Sequence, residues 1–180
     1  MDRDVLWKRV WNQRDDERAD WNGYESCFAS ADDYVAWVDK VSSFIAGTLS
    51  IDASDHVADL GCGSGRFAQP IGRRAASVTA IDYSRPAVEL ARRIRPAANI
   101  TYTVADLNSL DLSLLQDCSK AYAVGSFMYL TSVGHVFEML HALTAHGISV
   151  LAVDLPDADM QDDRERHYDR GEFSHLAFTV

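Results

Sequence analysis

The sequence has few cysteines and no long hydrophobic run, and both facts narrow its possible functions. Cys27, Cys62 and Cys118 are odd in number and widely spaced among 180 residues, which indicates neither a disulfide framework nor a metal site. No apolar run is long enough to cross a bilayer, and the first residues lack the apolar stretch of a signal peptide. We therefore expect a cytoplasmic protein with no membrane partner.

Positive charge is also scarce. The formal net charge is −10, from 27 acidic and 17 basic residues. A general polyanion binder needs a basic face, because its cations replace the counterions of the polymer. We therefore expect no nucleic-acid partner. The one local basic run, RRIR at 92–95, is typical of the solvated face of a helix.

Apolar strands and amphipathic helices alternate along most of the chain. Their spacing predicts an α/β fold with a doubly wound, mostly parallel sheet flanked by helices, in which ligands bind at the carboxyl ends of the strands. Ser84 is the predicted cap of the third helix. The strands are predicted at 56–60, 78–82, 100–106, within 120–130 and at 148–155, and the helices at 33–50, from Arg66 onward, at 86–94 and at 132–146.

The segment VADLGCGSGRFAQP, residues 57–70, places three glycines in five positions. One glycine would serve a turn, so Gly61, Gly63 and Gly65 indicate a loop that a ligand approaches closely. The loop lies between a predicted strand and a predicted helix. Free N–H groups at such a point suit a polar or anionic part of a nucleotide-like ligand.

Three acids, Asp59, Asp82 and Asp106, fall at or near the ends of three neighbouring strands. Asp82 follows the first glycine at the distance typical of a carboxylate that accepts ribose hydroxyls. The nicotinamide fingerprint needs glycine where Arg66 stands, and Asp59 would repel a pyrophosphate. A nucleoside ligand with a cationic group is therefore favoured over NAD.

The motif DLGCGSG, together with Asp82 and Asp106, resembles the class I S-adenosylmethionine-dependent methyltransferases over roughly residues 33–155. The resemblance implies a Rossmann-like methyltransferase fold that binds S-adenosylmethionine and releases S-adenosylhomocysteine. It also implies that Asp59 helps to fix the loop, that the glycines pass close to the methionyl and ribose parts, and that Asp82 binds the ribose. The resemblance implies that Tyr83, Asp106 and Leu107 contact the adenine, and that Gly125 and Ser126 contact the methionyl group. The full set of implied cofactor-binding residues is Asp59, Gly61, Cys62, Gly63, Gly65, Asp82, Tyr83, Asp106, Leu107, Gly125 and Ser126.

The implied activity is methyl transfer by in-line displacement to a small-molecule acceptor with an O-, N- or C-nucleophile. The fourth strand continues as GSFMYL and lacks the Asn/Asp-Pro-Pro-Tyr signature of enzymes that methylate planar amino nitrogens. Tyr129 and His135 are the candidate catalytic residues if the acceptor must lose a proton. Phe127 and Tyr129 are also candidates for lining the acceptor pocket. Two alternatives remain open, a nicotinamide-dependent oxidoreductase and a cofactor-binding protein without turnover.

We expect three parts in the chain. Residues 1–32 would form a helical cap segment, in which Trp7 and Trp11 lie one turn apart and pack in the core or cover the ligand. Residues 33–155 would form the cofactor-binding core, and residues 156–180 a tail that is truncated and lacks the family's C-terminal hairpin. The apolar end of this tail is expected to fold back on the sheet or to join another chain, so the sheet edge and the tail are the candidate surfaces for a homo-oligomer.

Overall fold

The computed structural model describes residues 8–9, 11–12, 28–130, 132–153 and 178–179. The strands are β1 (His56–Leu60), β2 (Ser77–Asp82), β3 (Ile100–Val104), β4 (Lys120–Val124), β5 (Ser149–Val153) and β6 (Phe178–Thr179). The α-helices longer than one turn are α1 (Ala31–Thr48), α2 (Ala68–Gly72), α3 (Arg85–Ile94) and α4 (Val133–Ala145). Short 3₁₀ turns lie at Leu107–Ser109, Leu112–Leu115 and Phe127–Tyr129.

The strands form one sheet in the order β3-β2-β1-β4-β5-β6, with β1 to β5 parallel. The chain moves outward from β1 to β3 and then returns to the other side of β1. This reversal leaves a crevice at the carboxyl ends of β1 and β4, where ligands of doubly wound sheets bind. The predicted fold class is confirmed.

Helices cover both faces of the sheet, because successive side chains of each buried strand point to opposite sides. On one face, α1, α2 and α3 share a buried cluster with Val57, Val78 and Tyr102. On the other face, α4 shares a second cluster with Ala58 and Ala121. The buried residues of β1 are therefore apolar apart from Asp59, and the strand begins at the exposed His56.

Serine residues begin the three long helices. Ser30, Ser84 and Ser132 each accept a hydrogen bond from a backbone N–H in the first turn of α1, α3 and α4, respectively. The predicted cap at Ser84 is thus confirmed. The helix after the glycine-rich segment is short, at five residues, and contains Pro70, which has no N–H to donate to the preceding turn.

The outer edge of β5 is paired with the end of the chain. β6 is antiparallel to β5, with Thr179 opposite Leu151 and Phe178 opposite Ala152. Of the two expectations for the end of the tail, folding back on the sheet is the one that the structure shows for these two residues, and they add one antiparallel strand to the otherwise parallel sheet. Among the helices within the described residues, none is both long enough and apolar enough to span a membrane.

The basic run at 92–95 does not lie wholly on a solvated face, which corrects the sequence interpretation. Arg95 is 7% exposed, because α3 ends at Ile94 and the next side chain turns inward. Its Nη1 donates to the carbonyl oxygen of Ser64 at 2.9 Å, and the Arg92 guanidinium donates to the carbonyl oxygen of Tyr102. The residue that follows α3 therefore binds the backbone of the glycine-rich segment at Ser64.

Replacing Arg95 with methionine should destabilise the protein. The change keeps most of the buried side-chain volume but removes the charge-assisted hydrogen bond to Ser64, at a cost of about 2 kcal/mol in the free energy of unfolding. Urea unfolding of Arg95→Met measures this loss. Arg85→Met is the control, because Arg85 is an exposed residue of the same helix. Equal stability of the two variants would show that the hydrogen bond contributes nothing.

Candidate functional site

A cavity opens at the carboxyl ends of β1, β2 and β4, where the strand order reverses. We call it the central cavity. Most of the site residues predicted from the sequence line it. Those residues are Gly61, Cys62 and Gly63 from the glycine-rich loop, Asp82, Tyr83, Asp106 and Leu107 after β2 and β3, and Gly125, Ser126 and Tyr129 after β4.

Two glycines of the loop allow close packing against the protein itself. A Cβ on Gly61 would lie 2.3 Å from the Cβ of Ser126, and a Cβ on Gly65 would lie 2.6 Å from the Tyr102 hydroxyl. Both glycines also have positive φ values. Gly65 packs against Tyr102 and is not among the residues that line the cavity, and its contact with the cofactor stays a prediction.

The carboxylate of Asp82 joins the glycine-rich loop to the start of α3. Its Oδ2 accepts the Gly63 N–H at 2.8 Å, and its Oδ1 accepts the Ser84 N–H at 2.8 Å. Burial raises the pKa of Asp82, and the two N–H donors oppose that rise. The carboxylate is thus fixed in orientation at the wall of the central cavity, where it can accept further hydrogen bonds from a ligand.

Asp106 also lines the cavity, but its oxygens already have partners. Oδ1 accepts from the backbone and side-chain nitrogens of Asn108, and Oδ2 lies 2.6 Å from the Lys8 ammonium. Partial burial acts to raise the pKa of Asp106, and these partners outweigh it and hold the pKa below its usual value. Asp106 therefore caps the turn that follows β3 and anchors the N-terminal segment.

Residues near the N-terminus form part of the cavity wall. Lys8 and Trp11 both line it. The carbonyl oxygen of Trp11 accepts from the Ser84 hydroxyl at 3.3 Å, and the Trp11 ring packs edge-on against Tyr129 with centroids 5.6 Å apart. Trp11 was expected either to pack in the core or to cover the ligand, and its place in the cavity wall favours the second interpretation. Trp7 lies outside the described residues.

Asp59 lies beneath the loop and does not line the cavity. It is 2% exposed near the carboxyl end of β1, opposite Tyr122 of β4. Burial raises the pKa of Asp59 to about 7, the Tyr122 hydroxyl opposes the rise, and the charge of Asp82 adds to it. Within the part of the chain that the structure describes, neither Asp59 Oδ2 nor the Tyr122 hydroxyl has a well-formed hydrogen bond.

The two candidate catalytic residues lie in different places. Tyr129 lines the central cavity, whereas His135 does not. The Nε2 atom of His135 donates to the carbonyl oxygen of Asn108 at 2.9 Å. His135 therefore contacts a residue of the cavity wall without lining the cavity itself. Phe127, the other candidate for the acceptor pocket, is 2% exposed and belongs to the core beside α4.

Several residues of the cavity wall were not predicted from the sequence. Arg66 and Phe67 directly follow the loop, and Tyr34 comes from the first turn of α1. The position of Arg66 after three glycines was a possible signal. Tyr34 gave none, because its spacing matches the buried stripe of α1. The part of the chain that the structure describes contains no cluster of three or more His, Cys, Asp or Glu arranged to hold a metal.

Replacing Asp59 with asparagine should remove a pH dependence of stability. Between about pH 4 and pH 7 the unfolded chain carries an ionised Asp59, whereas the folded chain retains the proton. The free energy of unfolding of the natural sequence therefore falls over this interval, by about 4 kcal/mol at most. In Asp59→Asn this contribution is absent. The free energy of unfolding of the variant, relative to that of the natural sequence, therefore increases as the pH rises from 5 to 8.

Chemical denaturation at the two pH values measures the difference. Asp39→Asn, an exposed change on α1, controls for the loss of one acidic charge. A constant difference between Asp59→Asn and the natural sequence at both pH values would show that Asp59 is ionised in the folded protein throughout.

The sequence also matches known proteins over its central part. The model of a methyltransferase domain family matches residues 57–147. The chain is 29% identical over 104 residues to an S-adenosyl-L-methionine-dependent Diels-Alderase of Talaromyces variabilis, covering 58% of this chain and 35% of that protein. It is 32% identical over 112 residues to the trans-aconitate 2-methyltransferase of Yersinia pseudotuberculosis, covering 61% of this chain and 41% of that enzyme. The chain thus spans less than half the length of these relatives.

The fold matches solved structures more widely. Phosphoethanolamine N-methyltransferase 1 of Haemonchus contortus, solved with phosphoethanolamine and S-adenosylhomocysteine, superposes with a TM-score of 0.63 at 22% identity. The match covers 84% of this chain and 32% of that enzyme. The family match includes the glycine-rich loop, Asp82, Asp106 and the exit of β4. The chain therefore belongs to the methyltransferase domain family, with the Rossmann-like fold of the class I S-adenosylmethionine-dependent methyltransferases that its sequence resembles.

Proposed function

We propose that the protein transfers a methyl group from S-adenosylmethionine to an O-, N- or C-nucleophile of a small molecule. The observation that carries this proposal is Asp82. Its carboxylate is held by the N–H groups of Gly63 and Ser84 at the wall of the central cavity, one strand away from Gly61. A fixed carboxylate at the end of β2 suits the two hydroxyls of a ribose.

The rest of the cavity fits the two ends of such a cofactor. Tyr83 and Leu107 offer apolar surface beside Asp82 for a purine ring. Gly61, Gly125 and Ser126 lie at the strand reversal, where we place the methionyl group. A Cβ built on Gly63 meets no atom within 4 Å, so this side of the loop faces open space.

When bound by Asp82 and the residues of the strand reversal, the cofactor would supply an electrophilic methyl group on a sulfonium, and the acceptor would take the methyl group as the thioether leaves. The protein therefore needs to position the acceptor and to exclude water. Trp11, Tyr129 and Leu130 supply an apolar wall for this purpose. We propose that Tyr129 contacts the acceptor or the sulfonium, and that His135 acts only by positioning Asn108.

Relatives of the chain support a small-molecule acceptor. One of them is by name a trans-aconitate 2-methyltransferase. Another is by name a Diels-Alderase that depends on S-adenosyl-L-methionine, so a cofactor site of this kind can serve a reaction other than methyl transfer. We propose that residues 1–32 act as a cap, since Lys8 and Trp11 line the cavity. The cytoplasmic location and self-association through the β5 edge or the tail stay predictions.

Isothermal titration calorimetry with separate cofactors tests the proposal. We expect S-adenosylmethionine and S-adenosylhomocysteine to bind with micromolar dissociation constants and NAD not to bind, because Arg66 replaces the third glycine of the nicotinamide fingerprint. Binding of NAD alone would favour the oxidoreductase. Binding of S-adenosylhomocysteine with no transfer of a labelled methyl group to any acceptor in a panel of small carboxylates, amines and phenols would favour a cofactor-binding protein without turnover.

Removal of Asp82 should weaken cofactor binding more than removal of Asp106. Asp82→Ala loses two charge-assisted hydrogen bonds to the ribose, which corresponds to a loss of about 100-fold or more in affinity for S-adenosylhomocysteine. Asp106→Ala should cost about tenfold or less, because Lys8 and Asn108 already occupy the Asp106 oxygens. Calorimetry measures both losses.

Two further measurements separate ligand binding from folding. Thermal unfolding of both variants shows whether the loop remains folded, and Asp82→Asn keeps an oxygen that can still accept one N–H. If Asp82→Ala and Asp106→Ala both fold and lose little affinity by equal amounts, Asp82 does not bind the ribose. Its role would then be limited to the structural contacts with Gly63 and Ser84.

A further inference from the structure

Part of the N-terminal segment borders the central cavity. Residues 8–9 and 11–12 are helical, and we call them the N-terminal strap. Lys8 and Trp11 of the strap line the cavity. A ligand that fills the cavity therefore contacts the strap, and the bonds that hold the strap bear on how the ligand enters.

Three contacts of the strap reach residues that follow three different strands. The Lys8 ammonium lies 2.6 Å from the carboxylate of Asp106, after β3. The carbonyl oxygen of Trp11 accepts from the Ser84 hydroxyl, after β2, and the Trp11 ring packs on Tyr129, after β4. In the sheet order β3-β2-β1-β4, these contacts begin on one side of β1 and end on the other. The strap therefore crosses the carboxyl edge of the sheet at the strand reversal.

These contacts are of kinds that can break while the core stays folded. The side chains of Lys8 and Asp106 are 35% and 27% exposed, so water and salt reach the ion pair. The hydrogen bond between Ser84 and Trp11, at 3.3 Å, is longer than usual for a hydroxyl donor. Asn108 holds the other oxygen of Asp106 through its backbone and side-chain nitrogens, so the turn after β3 has support that does not depend on Lys8. Loss of the ion pair therefore releases the strap and leaves this part of the cavity wall in place.

We propose that the N-terminal strap is a gate for the central cavity and that the Lys8–Asp106 ion pair is its latch. Ligands enter and leave when the strap opens, and the latch slows both steps. The identity of the ligand as S-adenosylmethionine or S-adenosylhomocysteine rests on the proposed function, whereas the opening of the strap is a property of the protein alone.

A latch and a direct contact with the ligand have different kinetic signatures. Loss of a direct contact raises the rate constant for dissociation and leaves that for association nearly unchanged. Loss of a latch raises both rate constants, because the strap must open for the ligand to pass in either direction. The dissociation constant then changes little, since it is the ratio of the two rate constants.

Stopped-flow fluorescence with S-adenosylhomocysteine measures both rate constants at low salt. Lys8→Met removes the charge and keeps most of the apolar stem, and Lys8→Arg retains the charge. Arg9→Met is the matched control, because Arg9 is an exposed residue of the strap outside the cavity wall and loses the same charge. We expect both rate constants to rise about 3- to 5-fold in Lys8→Met, to stay close to the natural values in Lys8→Arg, and not to change in Arg9→Met.

Salt provides an independent check on the latch. Raising the NaCl concentration from about 20 mM to about 500 mM screens a partly exposed ion pair. Both rate constants of the natural sequence should then increase. Those of Lys8→Met should stay constant, because this variant has no ion pair to screen.

Fluorine NMR observes the strap with no ligand present. 5-Fluorotryptophan labels all four tryptophans, and Trp11→Phe identifies the signal of Trp11. In Lys8→Met we expect this signal to move toward its chemical shift in the urea-unfolded protein, because the Trp11 ring leaves Tyr129 more often. In Arg9→Met the signal should stay in place.

The outcomes separate the gate from the proposed function. If the Trp11 signal moves in Lys8→Met but neither S-adenosylmethionine nor S-adenosylhomocysteine binds the natural sequence, the proposed cofactor is wrong and the gate stands. An increase in the dissociation rate constant alone assigns Lys8 to a direct contact with the ligand and overturns the gate. Unchanged rate constants in a protein that binds S-adenosylhomocysteine overturn it as well, as does a Trp11 signal that stays in place in Lys8→Met.

Discussion

The contact between Tyr102 and the glycine-rich loop holds the centre of this structure together. The Tyr102 ring lies directly beneath Gly65, and its hydroxyl donates to the carbonyl oxygen of Arg95 at 3.1 Å. Arg95 in turn donates to the carbonyl oxygen of Ser64. Burial raises the pKa of Tyr102 to about 12, so the hydroxyl keeps its proton and remains a donor. The network ties β3, the end of α3 and the loop into one unit.

This rigid base determines how the cavity is built above it. The N–H groups of the loop bind within the protein: those of Gly61 and Cys62 donate to the carbonyl oxygen of Ile81, and that of Gly63 donates to the carboxylate of Asp82. Gly61 sits against Ser126, which fixes the loop to the exit of β4 as well. The cavity therefore has a preorganised floor made of backbone and one carboxylate. A ligand that binds there does not need to order the loop, which lowers the entropic cost of binding.

The walls of the cavity are less closely tied to the sheet than the floor. One side consists of the Tyr34 ring with Arg66, and the other of Tyr129 with Trp11 from the N-terminal segment. Under the proposed function, the floor would bind the cofactor and the walls would select the acceptor, so the two tasks would depend on different parts of the chain.

The sequence by itself determined the alternation of strands and helices, the position of the glycine-rich loop and the cap at Ser84, because these features depend on local periodicity, on glycine conformations and on a hydrogen bond between near neighbours. It also placed Asp82 correctly at the cavity, since parallel strands end at the same edge of a sheet. Only the tertiary structure decided the partners of residues far apart in the chain. Arg95 turns under the loop, His135 binds the carbonyl oxygen of Asn108 behind the cavity wall, and Gly65 accommodates Tyr102. Each of these contacts joins segments at least 27 residues apart, and no local pattern in the sequence encodes which of many possible partners a side chain will meet.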